Sequence, residues 1–147
     1  MKKKIVCTAT MSLFLMFIIS FAYGDLTDRP REGKKVVEKS TFTIDQAQKL
    51  IEAKSPERAW LADEGQLMVK QGTEALNAGK MMKTNDGKRN MGNIGQKLLQ
   101  TGNLLLKMGQ QKGPVTPQEK EQLLKQGEML QSFGKMMLKK GQVMGGE

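Results

Sequence analysis

Glycine returns every seventh residue in three separate stretches of this chain. They are Gly65, Gly72 and Gly79; Gly95, Gly102 and Gly109; and Gly127, Gly134 and Gly141. A seven-residue spacing keeps one face of a helix, at 100° per residue. Yet an interior helical glycine costs about 1 kcal/mol relative to alanine. Nine of them cost roughly 9 kcal/mol, as much as a typical domain's whole stability. Close packing must offset that. The residues three and four places after each glycine lie about 60° and 40° to either side of it. They include Met68 and Val69, Leu98 and Leu99, Leu105 and Leu106, and Met137 and Leu138. Each glycine is therefore a hole in the middle of an apolar face. A Leu or Met knob from a facing helix can enter it, and the two backbones can approach closely. A phosphate-cradling loop is not indicated, because the context is helix rather than strand-to-helix turn.

The rest of the chain reads as helix and turn. Ser55-Pro56-Glu57 marks a helix start, with proline in the first turn. The pattern then stays helical to about Lys83, where Thr84-Asn85-Asp86-Gly87 is a turn. Another helix runs from about Lys88 to Lys112 and stops at Gly113-Pro114. A last one opens at Thr116-Pro117-Gln118-Glu119, with a capping box, and runs to about Met144. Before these, Phe42-Thr43-Ile44-Asp45-Gln46 reads as the capped start of a short helix. Residues 25–41 are charged and poor in large apolar side chains, so they read as a flexible leader. No stretch after residue 24 alternates like a strand. The predicted fold is all-α: a short N-terminal helix plus three long antiparallel helices, about 36–42 Å each, within one helical domain over 42–147.

Residues 1–24 read as a signal peptide. Lys2, Lys3 and Lys4 precede an apolar run from Ile5 to Tyr23, and Ala22 and Gly24 suit a cleavage site before Asp25. The competing reading is a retained anchor, which Thr8, Thr10, Ser12 and Ser20 weaken. Cys7, the single cysteine, would leave with the signal. The chain after residue 24 then has neither cysteine nor histidine, and no disulfide framework. Export places it in the periplasm, with the extracellular space as the alternative.

Lys88, Arg89, Lys97, Lys107 and Lys112 fall in a stretch, 87–118, without an acid. They could face an anionic membrane surface, a polyanion or an acidic protein. The plainer reading is a solvated surface. No aromatic side chains interleave with them, which argues against nucleic acid. Nine of the twelve methionines follow the signal. Met81, Met82, Met129, Met136, Met137 and Met144 are candidate soft ligands for Cu(I) or Ag(I). The alternative is adaptable core filling at helical spacing. Opposite the glycines lies a second apolar face, with Leu104, Met108, Met129, Phe133, Met136 and Val143 as candidates to meet a partner. That partner would be another protein, an unfolded client or a second copy of the chain. Trp60 reads as packing on the preceding helix. Without histidine, a paired carboxylate site or a nucleophile motif, an enzyme is not expected.

FTIDQ at 42–46 and VTPQE at 115–119 resemble the LTxxQ-type motif near helix starts in small periplasmic helical proteins of the CpxP/Spy class. Thr43 and Gln46 match, with Phe42 in place of Leu; the second copy has Glu119 where Gln is expected. The same pattern is that of a capping box. The resemblance implies helical hairpins and an ATP-independent chaperone or a metal-responsive relative. The expected function is thus a non-enzymatic interaction or scaffold protein of the envelope, chaperone-like in character. Cu(I)/Ag(I) binding through methionine, and association of this basic chain with an anionic membrane surface, are the alternatives.

Overall fold

The computed structural model describes residues 4–146, and for residues 4–26 the backbone alone. The predicted signal peptide and Cys7 lie outside the residues whose side chains are described. All regular structure among the described residues is helical. Four helices pack against each other: α1 (Lys4–Glu52), α2 (Arg58–Met81), α3 (Asn85–Gly109) and α4 (Pro117–Gly145). Connections of three to seven residues reverse the chain each time, at 53–57, 82–84 and 110–116. Contact is closest between α2 and α3 and between α1 and α4, so the bundle is two tight pairs laid against each other.

One heptad rule builds both pairs. At position zero stands a small residue, and it touches the partner's backbone. A Cβ placed on Gly72 would meet the Gly95 carbonyl oxygen at 2.8 Å, and one on Gly95 would meet that of Gly72 at 2.8 Å. Gly65 and Gly102 are reciprocal in the same way. Four residues on comes an aliphatic side chain that covers the partner's small residue. Leu99 covers Gly72, Leu76 covers Gly95, Leu106 covers Gly65 and Val69 covers Gly102. Three residues on comes the side chain that fills the space between the pairs. Met68 and Ala75 on α2, Leu98 and Leu105 on α3, and Leu130 and Met137 on α4 are all fully buried there.

Helix α1 obeys the same rule and corrects the sequence reading. Residues 25–41 are not a leader here; they lie within the helix Lys4–Glu52, so the N-terminal helix is not short. Its small positions are Gly33, Ser40 and Ala47. They face Gly141, Gly134 and Gly127 on α4, and Val37, Ile44 and Ile51 cover those three glycines. Val36, Thr43 and Leu50 enter the core. The segment is poor in apolar residues, but a seam of this kind asks for only two in each heptad. Thr43 is accordingly no cap. It is buried in mid-helix, and its hydroxyl donates to the Lys39 carbonyl at 2.7 Å. Ser40 donates likewise to Val36 at 2.6 Å, so both hydroxyls are satisfied inside the seam.

The turns differ from expectation in detail. Ser55 does not cap α2; Glu57 occupies that place without a side-chain hydrogen bond. Thr84 is the N-cap of α3 rather than the first residue of a four-residue turn, and accepts from the Gly87 amide at 3.0 Å. The capping box of Thr116 and Glu119 is present on α4, with Pro117 in the first turn. Gly113 and Gly146 take positive φ, 84° and 82°, which only glycine adopts without strain; Gly146 caps the end of α4.

Candidate interaction surfaces

The nine heptad glycines all lie on the inner faces of the two pairs. For eight of them an added Cβ would stand within 2.9 Å of an opposing atom, Gly109 meeting Ala62 and Arg58 of α2. Gly79 has more room, its nearest neighbours standing 3.3–3.4 Å away.

The methionines split by one position. In the doublets, Met82 and Met137 are buried, while Met81 is 85% and Met136 47% exposed. Adjacent helical side chains diverge by about 100°, so Met136 and Met137 do not turn both sulfurs to one point; Met82 lies just past the end of α2, buried where Met81 is exposed. Met144 is buried, and its sulfur accepts from Asn90 Nδ2 at 3.3 Å. Met129 stands exposed. Among the described residues no group of three or more His, Cys, Asp or Glu could hold a metal ion.

Of the residues expected on a second apolar face, Met108 is a correction. It is buried in the core, one residue before Gly109 on the face α3 turns inward. Leu104 and Phe133 are half-buried against the core. What remains is a stripe on α4: Met129 and Met136, each 47% exposed, and Val143, 63% exposed. They stand seven residues apart and run about 21 Å along the helix. Lys135, Lys139 and Lys140 flank the stripe, and residues 129–146 carry no acid.

The five basic residues singled out on α3 do not form one patch. Lys88 and Arg89 lie at one end of the helix, and Lys107 and Lys112 at or beyond the other, roughly 30 Å away. Lys97 is half-buried between them, and Arg89 pairs with Asp86 at 3.0 Å. Folding concentrates charge elsewhere. The start of the packed part of α1, the α2–α3 turn and the end of α4 meet at one end of the bundle, as the Arg29–Asp86 pair and the Asn90–Met144 contact show. Segments 27–39, 78–90 and 132–146 hold twelve Lys/Arg and four Asp/Glu; the remaining residues 40–77 and 91–131 hold nine of each. One end is strongly cationic and the other is balanced. A groove of about 360 Å³ opens at the cationic end, with Arg29, Arg89, Lys139 and Lys140 around Met136 and Val143.

Two side-chain ties went unseen in the sequence. Glu32, only 6% exposed, accepts from the backbone amides of Lys83 at 2.5 Å and Thr84 at 3.2 Å, and from the Thr84 hydroxyl. It pins α1 to the α2–α3 turn at the N-terminus of α3, where a negative charge is favoured. At the far end Arg58 grips Glu119 through two nitrogens, at 2.7 and 2.8 Å, and also donates to the carbonyls of Met108, Gly113 and Pro114. The Arg58 hydrogen bond, helped by the Thr116 amide, lowers the Glu119 carboxyl to about 2. Neither tie follows a local spacing; each joins residues more than fifty apart in sequence, and a residue's neighbours give no sign of it. Trp60 is half-buried against the core and lines the same open groove as Lys49, Glu52 and Ala53 at the end of α1. Glu64 pairs with Lys49 at 3.2 Å and Asp63 is exposed, so this acidic doublet is not a convergent pair. Among the described residues no helix is long and apolar enough to cross a membrane. No family model matches the chain, and neither does any curated protein or solved structure.

Proposed function

We propose that this protein is a non-enzymatic interaction module of the cell envelope, exported by residues 1–24, which holds unfolded or partly folded clients without ATP. The observation that carries the reading is the stripe of Met129, Met136 and Val143 on α4, exposed to solvent and bordered by lysines. Methionine surfaces adapt to many apolar partners because the side chain is unbranched and polarizable. Flanking lysines draw in acidic segments and keep the stripe soluble. The glycine seams serve this role as a frame: three long helices and the packed part of α1 hold one another at backbone contact, and α4 keeps its outer face free.

Aggregation suppression tests the proposal. Residues 25–147, which contain every core and seam residue among those described, are added at up to equimolar ratio to a chemically unfolding client, and light scattering is followed. The reading predicts suppression without ATP, and its loss in the Met129→Ser/Met136→Ser/Val143→Ser variant with circular dichroism and melting unchanged. Absence of suppression, or full suppression by the variant, would remove the stripe as a client surface.

A further inference from the structure

The cationic end carries a second inference, independent of client binding. Its charge is largely unspent. Among the described residues Arg31, Lys34, Lys35, Lys88, Lys139 and Lys140 form no ion pair, and all six are exposed. They come from three helices, so they spread over an end of the bundle rather than along a track. The same end holds three of the five most exposed large apolar side chains, Met81, Met136 and Val143. Lysines with apolar side chains between them suit a surface that is anionic outside and apolar beneath. The stems of Lys139 and Lys140 can lie along Met136 and Val143 while the ammonium groups reach headgroup phosphates. A purely polar polyanion would gain nothing from the apolar side chains. We propose that the cationic end docks the bundle on an anionic phospholipid surface, with Met81, Met136 and Val143 entering the interface.

Vesicle co-sedimentation tests this. Residues 25–147 are mixed with vesicles of phosphatidylcholine alone, or with about a third phosphatidylglycerol, at low and high salt. Each lysine near an anionic surface strengthens binding about fivefold. The variant Lys34→Gln/Lys35→Gln/Lys139→Gln/Lys140→Gln is compared with Lys107→Gln/Lys112→Gln/Lys120→Gln/Lys125→Gln, which removes the same charge from the balanced end. All eight side chains are exposed, so both variants should fold. The proposal predicts binding only to the anionic vesicles, at least tenfold weaker at high salt. It predicts at least a tenfold loss for the first variant and less than threefold for the second. Equal losses in the two variants would overturn it, since net charge alone would then account for binding. So would equal binding to neutral vesicles, or binding to polyglutamate with none to anionic vesicles. The aggregation assay contains no lipid, so either proposal can fail without the other.

Discussion

Replacing a helical glycine by alanine normally stabilises a protein by up to about 1 kcal/mol. In the α2–α3 seam the sign should reverse. A Cβ on residue 72 would stand 2.8 Å from the Gly95 oxygen and 2.9 Å from both the Leu99 nitrogen and its Cγ. An ordinary carbon–oxygen contact is about 3.3–3.6 Å, so the pair must open by roughly half an ångström or more. Two of the three opposing atoms are backbone and cannot swing aside. Overpacking of this sort costs about 1–3 kcal/mol. After the propensity gain, Gly72→Ala and Gly95→Ala should each lose up to about 2 kcal/mol, a fall of up to several degrees in Tm for a domain of this size. The double variant should lose less than the sum, because one opening accommodates both methyl groups. Gly92 is the control: it lies on the same helix with nothing within 4 Å of an added Cβ. Gly92→Ala should gain up to about 1 kcal/mol, and Gly79→Ala should fall between. Urea unfolding of the five variants, with equal m-values, provides the ranking. If Gly72→Ala and Gly95→Ala were as stabilising as Gly92→Ala, the backbones would not be in contact and the reasoning would fail.

Three further outcomes follow from particular contacts. Val36→Ala should cost about 2 kcal/mol in urea unfolding, because Val36 is fully buried; a detached leader would give no change. Removing the Glu32 carboxylate by Glu32→Ala leaves the Lys83 and Thr84 donors unmet and should cost about 2–4 kcal/mol. Amide exchange at Thr84 should then rise ahead of global unfolding. The Arg58–Glu119 tie should give an acid dependence. Glu119 titrates at about 2 when folded and near its ordinary 4.5 when unfolded, so its contribution is complete above about 4.5 and is lost as the pH falls from there toward 2. The urea midpoint should drop more steeply over that window in the native chain than in Glu119→Gln.

How much of this was legible depended on residue type and on distance along the chain. The seams of α2, α3 and α4 could be read because glycine at a heptad position is conspicuous and the aliphatic side chains follow at fixed offsets. The α1 seam has the same offsets but writes the small position as glycine, serine and alanine, at Gly33, Ser40 and Ala47. Serine and alanine are ordinary in any helix, so the period stayed hidden, and the many charges of 25–41 suggested a leader. Thr43 and Gln46 have cap spacing, yet nothing in that spacing distinguishes a cap from a threonine bonded to its own helix. The exposed stripe on α4 was visible as a period of seven. Its counterpart Met108 was misplaced because one position of rotation carried it into the core. The cationic end was invisible, since it gathers three segments that are each only moderately basic until the helices fold together.

The central claim is that two antiparallel pairs lock through small residues, α1 with α4 as well as α2 with α3. Methyl-resolved nuclear Overhauser spectroscopy tests it most directly. The account predicts cross-peaks from the Gly72 Hα to the Leu99 methyls, from Gly95 to Leu76, and from Gly141 to the Val37 methyls. Their appearance together would place both seams in register and α1 in the bundle. Absence of the Gly141–Val37 peak, or glycine Hα peaks to side chains one heptad away, would contradict the account.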